Sequence, residues 1–191
     1  MRYRHWRNLG QGGDWVFITT TCLDFVHALD RDDIKDVMCG FILRHCAKHQ
    51  ARLDAFVVMS HHVHLLVRLA DDQPVTDFMR EFKRRSSALI RPMICQSKDR
   101  EFDQQRGLNR NTFWQRSFRS VVVFGEKSLY QKVGYIHGNP VKAELVAEPP
   151  DYRWSSAWMW EDGLWDEESG LRLEGCRLPV EKPQELKWRS S

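Results

Sequence analysis

The chain has 191 residues, a formal net charge of +3, 42% hydrophobic residues and 29% charged residues. That length suits one domain with a real core and is short for two. The composition excludes wholesale disorder, and the modest positive charge permits an anionic partner without demanding one. The N-terminal MRYRHWRNLGQGG lacks the apolar centre of a signal peptide, and no run approaches the length of a membrane span. A cytoplasmic protein is therefore expected. The five cysteines, Cys22, Cys39, Cys46, Cys95 and Cys176, are odd in number and form no CxxC pair, which argues against a disulfide framework or a structural zinc site. Cys39 and Cys46 lie one heptad apart in an apolar helical pattern and read as core.

In chain order, residues 15–22 (WVFITTTC) are β-branched and aromatic and follow Gly12 and Gly13, which predicts a strand. Residues 30–49 carry Ile34, Val37, Met38, Phe41, Ile42 and Cys46 at helical spacing. Strands are expected at 53–59 and 62–69, joined by a tight Ser60-His61 connection. Pro74 opens a second helix whose buried stripe is Val75, Phe78, Met79, Phe82, Ser86, Leu89 and Ile90. A polar loop at 95–111 precedes a fourth strand at 118–124 and a third helix at 126–138, which stops before Pro140. A short helix is expected at 140–146. The βαββαβ order reads as an α+β, ferredoxin-like split-βαβ fold. Its sheet is mostly antiparallel, with helices packed on one face and the other face left for a site. The expected division is one domain over 1–160 and a tail over 161–191.

The third strand contains HHVHLLVRL. Alternation puts Val63, Leu65, Val67 and Leu69 on one wholly apolar face and His62, His64, Leu66 and Arg68 on the other. Two imidazoles at i and i+2 on a strand can share one cation. They complete no metal sphere by themselves, and by themselves they also suit ordinary hydrogen bonding. His61 points to the opposite face or into the turn.

The third helix contains LYQKVGYIHGNP, with Leu129, Val133 and Ile136 as its buried stripe. Tyr135 and Asn139 are one turn apart, separated by about 40° around the axis, whereas Tyr130 lies about 180° from Asn139. Of these two tyrosines, Tyr135 can therefore share a site with Asn139 and Tyr130 cannot. Gly134 removes a side chain beside Tyr135 and leaves room for a ligand or backbone. Asn before Pro also suits a helix N-cap, so Asn139 has a purely structural explanation too. Arg80, Lys83, Arg84, Arg85 and Arg91 on the second helix form the best run for contacting phosphates, or simply a solvated face. Trp154, Trp158 and Trp160 are candidates for base stacking, with core packing as the competing explanation.

MSHHVHLLV resembles the HUH motif of single-tyrosine nucleases, in which two histidines flank a hydrophobic residue. Followed by FWQRSF, YIHGNPVKAELV and YRWSSA, it resembles the REP-associated tyrosine transposases, over residues 12–158. The chain departs from the family's usual Pro-Asn or Pro-Glu before the first motif histidine, having Ser60-His61 instead. The resemblance implies His62, His64 and Asn139 as metal ligands, Mg²⁺ or Mn²⁺ as the ion, and Tyr135 as the nucleophile. It implies cleavage and rejoining of single-stranded, hairpin-bearing DNA through a 5′-phosphotyrosine, by a monomer rather than a homodimer, and a protein that acts on DNA in this way is expected at the nucleoid when bound. Two other readings compete. One is a hairpin-binding module without catalysis, and the other is a phosphodiesterase that uses a metal-bound water.

Overall fold

The structure is a computed structural model that describes residues 13–95, 112–166 and 168–171. Residue 95 of the expected 95–111 loop ends a helix instead, and residues 96–111, Cys176 and the tail beyond 171 lie outside the described residues. Strand β1 (Trp15–Thr21) leads through a 3-10 turn to helix α1 (Asp32–Lys48). Asp32 and Asp33 occupy its first turn and His45 and Lys48 its last, which suits the helix dipole. Strands β2 (Arg52–Val58) and β3 (His62–Arg68) form a hairpin, closed by Met59 N donating to His62 O at 2.9 Å. Helix α2 (Val75–Cys95) and strand β4 (Arg119–Val123) complete a βαββαβ unit.

The four strands order as β2-β3-β1-β4, and every pairing is antiparallel. This is the expected α+β architecture, and alternation along the two central strands gives the sheet one wholly apolar face and one that is apolar only in part. One core gathers Val16, Ile18, Val63, Leu65 and Val67 against Ile34, Met38 and Ile42 of α1 and Phe78, Met79 and Phe82 of α2. The two helices of the repeat thus share one face, as expected.

Helix α3 (Gly125–His137) crosses to the other face. Its Leu129, Val133 and Ile136 cover Ala55 and Val57 of β2 and Leu66 of β3 in a second core. Leu66, expected on the site face, is consequently fully buried. The crossing starts at Gly125, whose φ of +74° is a conformation that costs glycine little and other residues more. The site face is therefore half roofed by a helix.

Helix α4 (Asn139–Lys142) is shorter than expected and is followed by Glu144 at φ +57°. After helix α5 (Ala157–Glu161), past the expected boundary at 160, strands β5 (Trp165–Asp166) and β6 (Gly170–Leu171) form a hairpin against the β2 edge. The anchor is Asp54, a fully buried carboxylate beside a register shift in β2. It accepts from Trp15 Nε1 at 2.9 Å, Arg52 Nε at 2.9 Å and Trp165 Nε1 at 3.2 Å. The domain thus extends through this hairpin. Among the described residues no helix is long and apolar enough to cross a membrane.

Candidate metal centre and nucleophile

The site forms where the C-terminal end of α3 meets the start of β3. His62 and His64 project from the same face of β3, with ring centroids 4.7 Å apart. Each ring has its Nδ1 occupied. His64 Nδ1 lies 2.9 Å from Thr19 Oγ1, on the residue paired with it across β1. His62 Nδ1 lies 3.1 Å from His61 Nε2. His61 in turn stacks on His27 at 5.2 Å, so the residue set aside in the turn supports a motif histidine. With Nδ1 engaged, Nε2 is the nitrogen each ring has left for a ligand, the arrangement outer partners impose on metal-binding imidazoles.

Asn139 is the third member. Its amide nitrogen donates to Tyr135 O at 2.6 Å, and its side chain lies near enough to His62 and His64 to oppose the lowering of their pKa values. With the nitrogen donating to the helix backbone, the amide oxygen is the atom this side chain could offer a metal. Asn139 is not a helix cap. Gly138 holds that position, and no side chain caps α4.

Burial, reinforced by neighbouring histidines, lowers the His62 pKa to about 4 and the His64 pKa to about 3. Both rings are therefore neutral at pH 7, the state in which imidazole binds metals. Among the described residues no three His, Cys, Asp or Glu side chains gather to hold a metal ion, and the Asn139 amide stands beside the two rings. Two neutral nitrogens and one amide oxygen suit a borderline-to-hard divalent ion that keeps open positions.

Tyr135 stands at the rim. It is 50% exposed, and its ring centroid is 5.4 Å from His64 and 5.7 Å from Phe17. Phe17 stacks on His64 at 5.3 Å, which ties strand, histidine and tyrosine into one aromatic cluster. Apart from its chain neighbours and its own helix backbone, nothing lies within 4 Å of where a Cβ on Gly134 would sit, so no other element crowds that side of α3. Tyr130 instead packs on Trp160 and Trp165, away from the histidines. The structure thus brings His62, His64, Asn139 and Tyr135 together.

The basic run of α2 is not with them. That helix packs on the opposite face of the sheet. Lys83 Nζ donates to the carbonyls of Gln115 (2.9 Å), Arg116 (3.4 Å) and Ser117 (2.7 Å), so it ties down the segment before β4. Arg80 pairs with Asp77, and Arg85 with Glu81. Arg84 is exposed and Arg91 partly so, and neither has an ion-pair partner among the described residues. The three tryptophans all have bonded indole N–H groups. Trp154 donates to Asp36 at 2.8 Å, Trp158 to Arg153 O at 3.3 Å and Trp160 to Asp54 O at 2.8 Å.

Sequence reasoning missed Thr19, Phe17 and His61. The available signal was alternation in WVFITTT, which puts Phe17 and Thr19 on the face opposite Val16 and Ile18.

The family model for IS200-like transposases matches residues 22–139, a span that includes all four site residues. A comparison with curated proteins finds no match. Among solved structures, a REP-associated tyrosine transposase bound to a REP hairpin superposes with a TM-score of 0.64 at 20% identity. That match covers 90% of this chain and 99% of the other. A transposase-like protein from Deinococcus radiodurans R1 matches at a TM-score of 0.45 and 20% identity, over 71% of this chain and 97% of its own.

Proposed function

We propose that this chain, which belongs to the IS200-like transposase family, cuts and rejoins single-stranded DNA through a covalent link to Tyr135. The observation that carries the reading is the meeting of a paired-histidine strand with a tyrosine and an asparagine one helical turn apart. His62, His64 and Asn139 would hold Mg²⁺ or Mn²⁺. A bound ion of this kind acts as a Lewis acid toward phosphate oxygens and spares the protein the work of neutralising them.

The chain's own part is positioning and attack. An exposed phenol beside the ligand set is open to a strand from solvent, and the aromatic packing of Phe17 and His64 fixes its direction. A Tyr135 Oη–phosphorus bond forms as the phosphorus–O3′ bond breaks. The phenol's proton passes to solvent, and the departing 3′-oxygen takes one up. The 5′-phosphotyrosine that results keeps the energy of the phosphodiester, so a second 3′-hydroxyl reseals the strand without a nucleotide cofactor. The acting form in this reading is a monomer. The solved relative bound to a REP hairpin supports hairpin-bearing DNA as the substrate. Arg84 and Arg91 lie on the far face of the sheet, so any DNA they hold is remote from the cut phosphate.

Incubation with labelled hairpin-bearing single strands and Mn²⁺, resolved on a denaturing gel, tests the proposal. A protease-sensitive adduct absent from Tyr135→Phe supports it. Cleavage without an adduct points instead to a metal-bound water. Binding with neither, by protein shown to hold metal, points to a module that does not cut.

A further inference from the structure

We propose that the cut strand lies in the groove between α3 and β4, with Lys132 and Arg119 as its phosphate contacts, rather than along the basic run of α2. The proposal rests on the reading of Tyr135 as the nucleophile and adds the path by which DNA reaches it. Two observations on opposite walls of the groove carry it.

The first wall is α3. Lys132 is one turn before Tyr135, and its Nζ sits 5.0 Å from the centre of the Phe17 ring, the ring that Tyr135 meets edge-on. Lysine and tyrosine therefore stand on one aromatic floor. Lys35, Lys48 and Lys83 spend their ammonium groups on carbonyls or a carboxylate. Lys132 has no such partner among the described residues, so its donors remain for an anion above the ring.

The second wall is the edge strand β4. Arg119 pairs with Thr19, which pairs with His64. Paired residues in an antiparallel sheet point to the same face. The Thr19–His64 contact fixes that face as the site's, so Arg119 shares it. Two strand spacings place its backbone about 10 Å from that of His64. Arg119 is exposed at the groove's outer side, and Val121, 47% exposed, continues the same face opposite Phe17. The groove therefore has cations on both walls and an apolar floor between them, which is the pattern that single strands fit: phosphates to the charges, bases to the rings.

Charge also decides the occupant. A bound single strand releases counterions, and each phosphate contact contributes about 0.7 to the slope of log affinity against log salt. The experiment is fluorescence-anisotropy titration of a labelled oligothymidylate across a salt series. It uses the full chain carrying Tyr135→Phe, so that nothing is cut. Adding Lys132→Gln or Arg119→Gln is expected to reduce the slope by about 0.7 each. Lys132→Arg is expected to restore it, and Arg44→Gln, on the exposed side of α1, to leave it unchanged. Melting curves verify that each variant folds, and Lys132→Arg serves as the folded comparator. Full slope in both folded glutamine variants overturns the groove, even where the wild type forms its tyrosine adduct. A reduced slope without any wild-type adduct upholds the groove and refutes the tyrosine chemistry. Absence of single-strand binding by the parent protein overturns both.

Discussion

Asn139 donates from its amide nitrogen to the backbone carbonyl of Tyr135 at 2.6 Å, so one hydrogen bond couples the third candidate ligand to the residue that carries the phenol. The bond commits the nitrogen, leaves the oxygen for a metal, and spans a single helical turn. Asn139→Ala removes both functions. We expect Mn²⁺ affinity, measured by calorimetry, to fall at least about tenfold. Asn139→Asp keeps an oxygen for the metal but sets a carboxylate against the Tyr135 carbonyl. It should bind metal and lose adduct yield. If Asn139→Ala bound Mn²⁺ like the wild type, the amide would have no place in the ligand set.

Thr19 reaches the centre only through His64. Its hydroxyl is 2.9 Å from His64 Nδ1 and leaves Nε2 for the ion. Thr19→Val keeps the shape of the strand and removes that contact. Metal affinity should drop about 10- to 100-fold, as for other partners of metal-bound histidines. Thr19→Ser should recover most of it. Equal losses in the two variants would mean that packing, rather than the hydroxyl, supports the ring.

Lys83 makes a prediction about stability. Its ammonium serves three carbonyls of residues 115–117, and burial lowers its pKa to about 8. Lys83→Met leaves those carbonyls without their donor and should cost about 1–3 kcal/mol in urea unfolding. A variant that unfolds like the wild type but binds DNA more weakly would instead make Lys83 a phosphate contact.

Acid should weaken the fold through His45. Its ring is buried among Phe41, Phe78 and Phe82, with Nε2 at 3.2 Å from Phe78 O and Nδ1 without a hydrogen-bond partner among the described residues. Burial, and then the charge of His49, lower its pKa from 6.5 to about 4, while Glu81 acts in the opposite direction and Lys48 in the same one. Between those values the unfolded chain binds more protons than the folded one. His45's share of the stability is thus complete above pH 6.5 and is lost as pH falls toward about 4. His45→Leu should flatten the decline in that window. An unchanged decline would assign it to other groups.

Much of this was legible in the sequence, for identifiable reasons. Period-two alternation in HVHLLVR fixed which residues of β3 face the two-helix core, and hence that His62 and His64 share the other side. Helical spacing alone separated Tyr135 from Tyr130. The destination of α3 was not legible. Its stripe of Leu129, Val133 and Ile136 shows that it buries one side, but not against which face of the sheet, and so the burial of Leu66 came as a difference. The roles of Lys83 and Asp54 were hidden for a related reason. A lysine on a helix and an aspartate in a strand look solvated until distant segments, 115–117 and Trp165, are folded against them. Charge patterning pointed to α2, and the face of the sheet that helix packs on came only with the fold.

The most direct test of the account is to isolate the protein–DNA adduct, digest it and locate the nucleotide by mass spectrometry. The account predicts a phosphodiester on the peptide that contains Tyr135, with the strand 3′ of the cut attached and the 5′ fragment released with an extendable 3′-hydroxyl. Attachment at Tyr130 or another residue, or a cut with no attachment at all, would contradict it.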